Sequence, residues 1–121
     1  MSTSRHDPAK TLARFHEVTN AQDFVAIEAM FAPDVVYVSE GVGGRIEGRD
    51  AVMTAFRSYF EEYPDQEAED KKLEALSPNS ARSEWSLTGT STKTGVWRER
   101  HGAETITLDG DGLIVRVDVE G

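Results

Sequence analysis

The sequence has no cysteine, which excludes disulfides, thiolate metal ligands and a cysteine nucleophile; a reducing compartment, the cytoplasm, is the expected location. Basic residues are scarce as well. Only 13 Lys and Arg face 22 Asp and Glu, and the formal net charge of −9 repels phosphate backbones and anionic lipid. No nucleic acid and no membrane is therefore expected as a partner. No apolar run approaches the roughly 20 residues that cross a bilayer, and the polar stretch Met1–Lys10 lacks the apolar centre of a signal peptide. Internal repeats, low-complexity tracts and the HxxxH and HExxH spacings are all missing, so neither a solenoid nor a metal site is expected.

What is present suffices for one globular domain, expected to span residues 1–121 with residues 1–7 frayed. Pro8 suits the first turn of a helix, and Leu12, Phe15, His16 and Thr19 recur at helical spacing up to Asn20. Asp23 can cap a second, short helix carrying Phe24, Ile27, Ala29, Met30 and Phe31, which Pro33 stops. Val35–Val38 read as a strand that is apolar on both faces and therefore buried. Gly41, Gly43, Gly44 and Gly48 mark a flexible connection. Beyond it Val52, Ala55, Phe56, Tyr59, Phe60 and Tyr63 trace one face of a third helix that ends before Pro64. From residue 66 the apolar period becomes that of strands, near 67–76, 80–91, 96–109 and 113–120, joined as an antiparallel meander. Helices first and strands later, without βαβ repeats, predict an α+β domain rather than a doubly wound sheet.

Glu104 is the candidate catalytic residue. Strand alternation puts its carboxylate on the same inward face as Ile106 and Leu108. There it must find hydrogen-bond partners, or its pKa rises by desolvation and it becomes a proton donor or shuttle. A carboxylate at a sheet end that reaches water is the alternative. Arg98 and Arg100 share that face, but four residues along a strand is about 13 Å, so Arg100 and Glu104 are not an obvious pair; Arg100 can line a pocket mouth or join a cross-strand ion pair. His16, beside Phe15 and one turn past Leu12, sits at the margin of the buried face of helix one. Tyr37 and Ser39 face one way and Val38 and Glu40 the other, and either face can supply a polar group. Phe56 on helix three and Trp85, Leu87 and Trp97 on the meander offer apolar lining for a cavity. The seven carboxylates between Glu61 and Glu74 read as a solvated sheet edge.

The order of these features is similar to that of the nuclear transport factor 2-like superfamily, with SnoaL-like (polyketide cyclase-like) proteins as the nearest branch. The resemblance runs from about Thr11 to Glu120 and rests on Phe31–Asp34, Glu47–Val52, Glu84-Trp85, Gly89-Thr90 and Asp109–Val115. It implies a cystatin-like α+β roll: a cone in which a strongly bent antiparallel sheet wraps three helices and leaves a pocket open at one end. Compared with the ketosteroid isomerase branch, the oxyanion-hole tyrosine falls on Phe15, which has no hydroxyl, and the general-base aspartate falls on Ser39 beside Glu40. The neutral acid of that branch, and the acid/base aspartate of the SnoaL-like cyclases, fall on or within one residue of Glu104.

Two readings remain open. One is a cofactor-independent isomerase or cyclase that moves a proton on a small apolar carbonyl compound, with Glu104 as acid/base assisted by Tyr37, Ser39 and His16. The other is a non-catalytic ligand-binding or dimerisation module. In both, a homodimer through the open face of the sheet is the expected assembly.

Overall fold

The computed structural model describes residues 7–40 and 44–120. His6, the expected fraying of residues 1–6, and Gly41 and Gly43 of the glycine-rich connection lie outside these. Among the described residues there are three helices and one six-stranded sheet.

Helix α1 spans Pro8–Asn20. Asp7, grouped above with the frayed residues, is instead its cap, accepting from the backbone N–H groups of Ala9 and Lys10 at 3.1 and 3.2 Å. Helix α2, Phe24–Met30, is capped in the same way by Asp23, which accepts from the Ala26 N–H at 3.1 Å. The helix ends at Met30, one residue earlier than expected. Phe31 already belongs to strand β1, Phe31–Ser39, because Pro33 holds the residue before it extended and that extension runs back to the helix end.

Strand β2, Gly44–Glu47, occupies part of what the sequence presents as a flexible connection. It pairs antiparallel with β1, Tyr37 opposite Ile46 and Val38 opposite Arg45. Helix α3 spans Arg49–Glu62 and buries Val52, Met53, Phe56 and Phe60. The meander follows as β3 (Glu67–Ser77), β4 (Ser80–Thr90), β5 (Trp97–Leu108) and β6 (Ile114–Glu120).

The strand order is β2-β1-β6-β5-β4-β3. The meander is antiparallel, but β1 and β6 are parallel neighbours, with Tyr37 beside Val117, so the sheet is mixed rather than antiparallel throughout. The cause is topological: the last strand of the meander returns to β1 running in the same direction, and only the long excursion through β2, α3 and three strands makes such a parallel neighbour accessible. Register shifts in β1, in β3 between Asp70 and Lys72, and in β6 opposite Leu108 insert extra residues that bend and twist the strands. The bent sheet carries α1 against β3–β5 and α3 against β1 and β2. Leu12, Phe15, Val18, Ile27, Phe31, Val35, Val52, Met53, Ile106, Ile114 and Val117 fill the space between. No described helix is long and apolar enough to cross a membrane.

Gly102 has a specific steric duty. It stands opposite Trp85 on β4, and a Cβ there would lie 2.7 Å from the indole ring and 2.2 Å from the Glu120 carbonyl oxygen. The buried ring of Trp85 therefore rests on bare backbone. Gly102→Ala is expected to lose about 1–3 kcal/mol through this overpacking and to shift the Trp85 fluorescence, read in chemical denaturation on a Trp97→Phe background that removes the second indole.

Candidate functional site

Three elements meet at His16. Asn20, at the end of α1, binds β3 through both ends of its amide: it donates to the Ala68 carbonyl and accepts from the Ala68 N–H, each at 2.9 Å. Four residues back along a helix is about 6 Å, and two residues forward along a strand is about 6.6 Å. With Asn20 fixed on Ala68, His16 is therefore brought level with Asp70. The His16 Nδ1–H donates to Asp70 Oδ1 at 2.6 Å, and Asp70 also accepts from the hydroxyl of Ser83, which is completely buried on β4. On its other side His16 donates from Nε2 to the carboxylate of Glu104. Glu104 stands opposite Ser83 in the β4–β5 register, so the chain Ser83–Asp70–His16–Glu104 crosses three adjacent strands by way of one helix.

The imidazole is 9% exposed and Glu104 is 5% exposed. Burial by itself lowers the histidine pKa, but the Glu104 charge, the hydrogen bonds to Asp70 and Glu104 and the Asp70 charge outweigh it and hold the ring at about 10. At neutral pH this is an imidazolium between two carboxylates. On Asp70, burial acts upward, and the hydrogen bonds from His16 and Ser83 prevail and lower its pKa.

Glu104 opens onto a cavity of about 110 Å³. Phe15, His16, Tyr37, Ser39, Phe56, Trp85 and Arg100, all singled out from the sequence, line it together with Glu104. Glu40 does not: the alternation that turns Tyr37 and Ser39 inward leaves Glu40 exposed beyond the end of β1. Trp97 is 60% exposed on the outer face of β5 and supplies no lining. Arg98 stacks over the Tyr63 ring, 5.1 Å from its centroid.

Tyr59, Gln66, Thr19 and Leu87 complete much of the wall, and Tyr59 donates its hydroxyl to Gln66. The aromatic rings lock edge to face: Phe31 and Tyr37 both meet Phe56 nearly perpendicularly, at 5.9 and 5.2 Å between centroids. Tyr37 has its pKa raised well above 10, first by burial and then by the Glu104 charge, so its O–H stays protonated beside the carboxylate. No group of three or more His, Asp or Glu side chains among the described residues is arranged to hold a metal ion.

Sequence reasoning placed Glu104 inside but read Asp70 as one more charge on a solvated edge. The available signal was spacing: Ala68 and Asp70 share a strand face, and Asn20 and His16 share a helix face. Similarly, His16 is more than a rim residue, since both ring nitrogens are engaged.

An open α+β roll with an acid–base chain ending in its cavity is the class that fold and site define. The sequence matches the SnoaL-like domain model over residues 12–117, and the chain belongs to that family. No curated protein shows significant sequence similarity to it. Among solved structures, a protein of Xanthomonas campestris pv. campestris, provisionally assigned as a polyketide cyclase, superposes with a TM-score of 0.83 at 22% identity, covering 97% of this chain and 91% of its own. Rv0760c of Mycobacterium tuberculosis, in complex with estradiol-17β-hemisuccinate, gives 0.81 at 19% identity, with 93% and 91% covered. A nuclear transport factor 2-like protein of unknown function from Exiguobacterium sp. 255-15 gives 0.80 at 21%, with 91% and 96% covered.

Two outcomes test the chain of hydrogen bonds. Because the folded-state pKa of His16, about 10, exceeds its ordinary 6.5, the stability it contributes is complete below pH 6.5 and is lost as pH rises toward and through 10. Thermal unfolding followed from pH 6 to 10.5 should show this decline, and His16→Gln should flatten it; equal slopes in the two proteins would contradict the assignment. Asn20→Ala, which touches neither carboxylate, should lower the His16 pKa by at least one unit in an imidazole NMR titration, because the helix is no longer held in register with β3.

Proposed function

We propose that the protein binds a small, largely apolar carbonyl compound in this cavity and moves a proton on it, as in an isomerisation or cyclisation. The observation that carries this reading is the Asp70–His16–Glu104 chain, whose last carboxylate is buried and lines the cavity. An imidazole already protonated at neutral pH, with both N–H groups engaged, is poorly suited to pick up a proton there. It instead orients Glu104 and balances its charge, leaving Glu104 as the acceptor of a substrate proton.

The negative charge that then develops on a substrate oxygen needs a donor. Phe15 cannot supply one, but the Tyr37 hydroxyl, protonated and on the same cavity wall, can. Tyr37 therefore takes the role that the tyrosine missing at Phe15 would have had. The cavity is somewhat smaller than the ~150 Å³ apolar space that admits benzene, which favours a ligand of single-ring size or a larger one that projects from the mouth. The small-molecule complex of Rv0760c and the cyclase assignment of the Xanthomonas relative are in keeping with a ligand-binding role.

The test is deuterium incorporation at the α-carbons of cyclohexanone in D₂O, followed by proton NMR. Enzyme-dependent exchange should fall roughly 10²–10⁴-fold in Glu104→Gln and by a smaller factor in Tyr37→Phe, with amide spectra of both variants showing the native fold. If cyclohexanone perturbs the cavity resonances while wild type and Glu104→Gln exchange equally slowly, the protein binds without performing this chemistry.

A further inference from the structure

We propose that the ligand carries an anionic group, a carboxylate in the simplest case, and that Arg100 is the residue that selects it. The inference rests on the cavity assignment above and goes on to name the substrate class. The chain as a whole disfavours anions, with a net charge of −9. Against that background, Arg100 is the one Lys or Arg side chain among the described residues that line the cavity.

Its position follows from the strand register. Arg100, Leu87 and Ala68 lie side by side across β5, β4 and β3, and all three line the cavity, while Glu104 stands one row beyond Gly102 and Trp85. Arg100 and Glu104 are four residues apart, about 13 Å between backbones, and an extended guanidinium spans about half of that. A molecule a few bonds long can thus place one end at each.

Arg98, two residues along the same face, is held over Tyr63. Burial raises the Tyr59 pKa, and the charges of Arg100 and Arg98 both act against that rise, so both guanidiniums are within electrostatic range of the Tyr59 hydroxyl. Two guanidiniums therefore act at the Tyr59 end of the cavity, with the Glu62 carboxylate acting the other way, and Glu104 and the Tyr37 hydroxyl also line the cavity. Trp85 stands in the row between Arg100 and Glu104, and Phe56, Phe60 and Leu87 line the same cavity. A donor fork, an apolar middle and a proton acceptor beside a hydroxyl match a small oxo acid: carboxylate at Arg100, carbonyl at Tyr37, and the C–H adjacent to the carbonyl at Glu104.

The probes are 4-oxopentanoate and its neutral counterpart 4-oxopentanamide, titrated into the ¹⁵N-labelled protein, with the Arg100 Nε–H and the His16 imidazole as reporters. Wild type should bind the carboxylate roughly ten-fold or more tightly than the amide. That preference should shrink with added salt, disappear in Arg100→Gln and partly return in Arg100→Lys, with amide affinity changing less than carboxylate affinity and native-like spectra throughout. Equal affinity for the two probes in wild type, or a preference that survives Arg100→Gln, overturns the selection by Arg100 while leaving the cavity reading in place. Failure of both probes to perturb the His16 and Arg100 signals at millimolar concentration overturns both.

Discussion

A buried imidazolium between two carboxylates is the interaction on which the remaining geometry turns. His16 has water on almost no side, and one of its partners comes from the edge strand β3 and the other from the interior strand β5. Taking such charges out of water is costly unless each finds its counterpart with good geometry. The sequence meets that requirement with short local devices: Asp7 and Pro8 start the helix, Asn20 fastens its end to β3, and Ser83 donates to the same Asp70 oxygen that His16 engages. Each is a commonplace contact by itself. Together they set the rotation, height and tilt of α1 over the sheet, and so decide which side chains surround the cavity.

The electrostatic pattern also explains how an acidic protein tolerates a carboxylate at its centre. Most of the carboxylates are on the surface, several in short-range pairs such as Arg45–Glu47, Lys71–Glu69, Arg82–Glu120 and Arg116–Asp118. Pairs of that kind contribute little to stability because water screens them. The set around His16 differs, because the imidazole and Glu104 are buried and only Asp70 reaches water. Polar chemistry is thereby concentrated in one row of side chains, with an aromatic layer of Phe15, Phe31, Phe56 and Tyr37 against it.

Much of this was readable in advance, and the limits have physical causes. Periodicity gave three helices and four meander strands because each buries one clear face. The strand β2 was hidden because four residues with a half-exposed pattern carry almost no periodic signal, and only an available edge on β1 makes them a strand. The parallel pairing of β1 with β6 is a long-range choice that no local pattern encodes. Glu104 was legible because a carboxylate interrupts an apolar alternation, as in Glu104, Ile106 and Leu108. Asp70 was not, because it sits on an exposed strand among acidic neighbours and itself reaches water, and only the register between α1 and β3 distinguishes it from Glu69 or Glu74.

The contact between Trp85 and Gly102 bears on how such a cavity diversifies. The indole forms part of the wall, but its seat is a glycine that does not touch the empty space at all. The capacity of the chamber is thus governed from behind its own wall: a residue with any side chain at that seat would drive the ring forward into the void. A substitution at that seat therefore alters the size of the void while every residue that lines it stays the same.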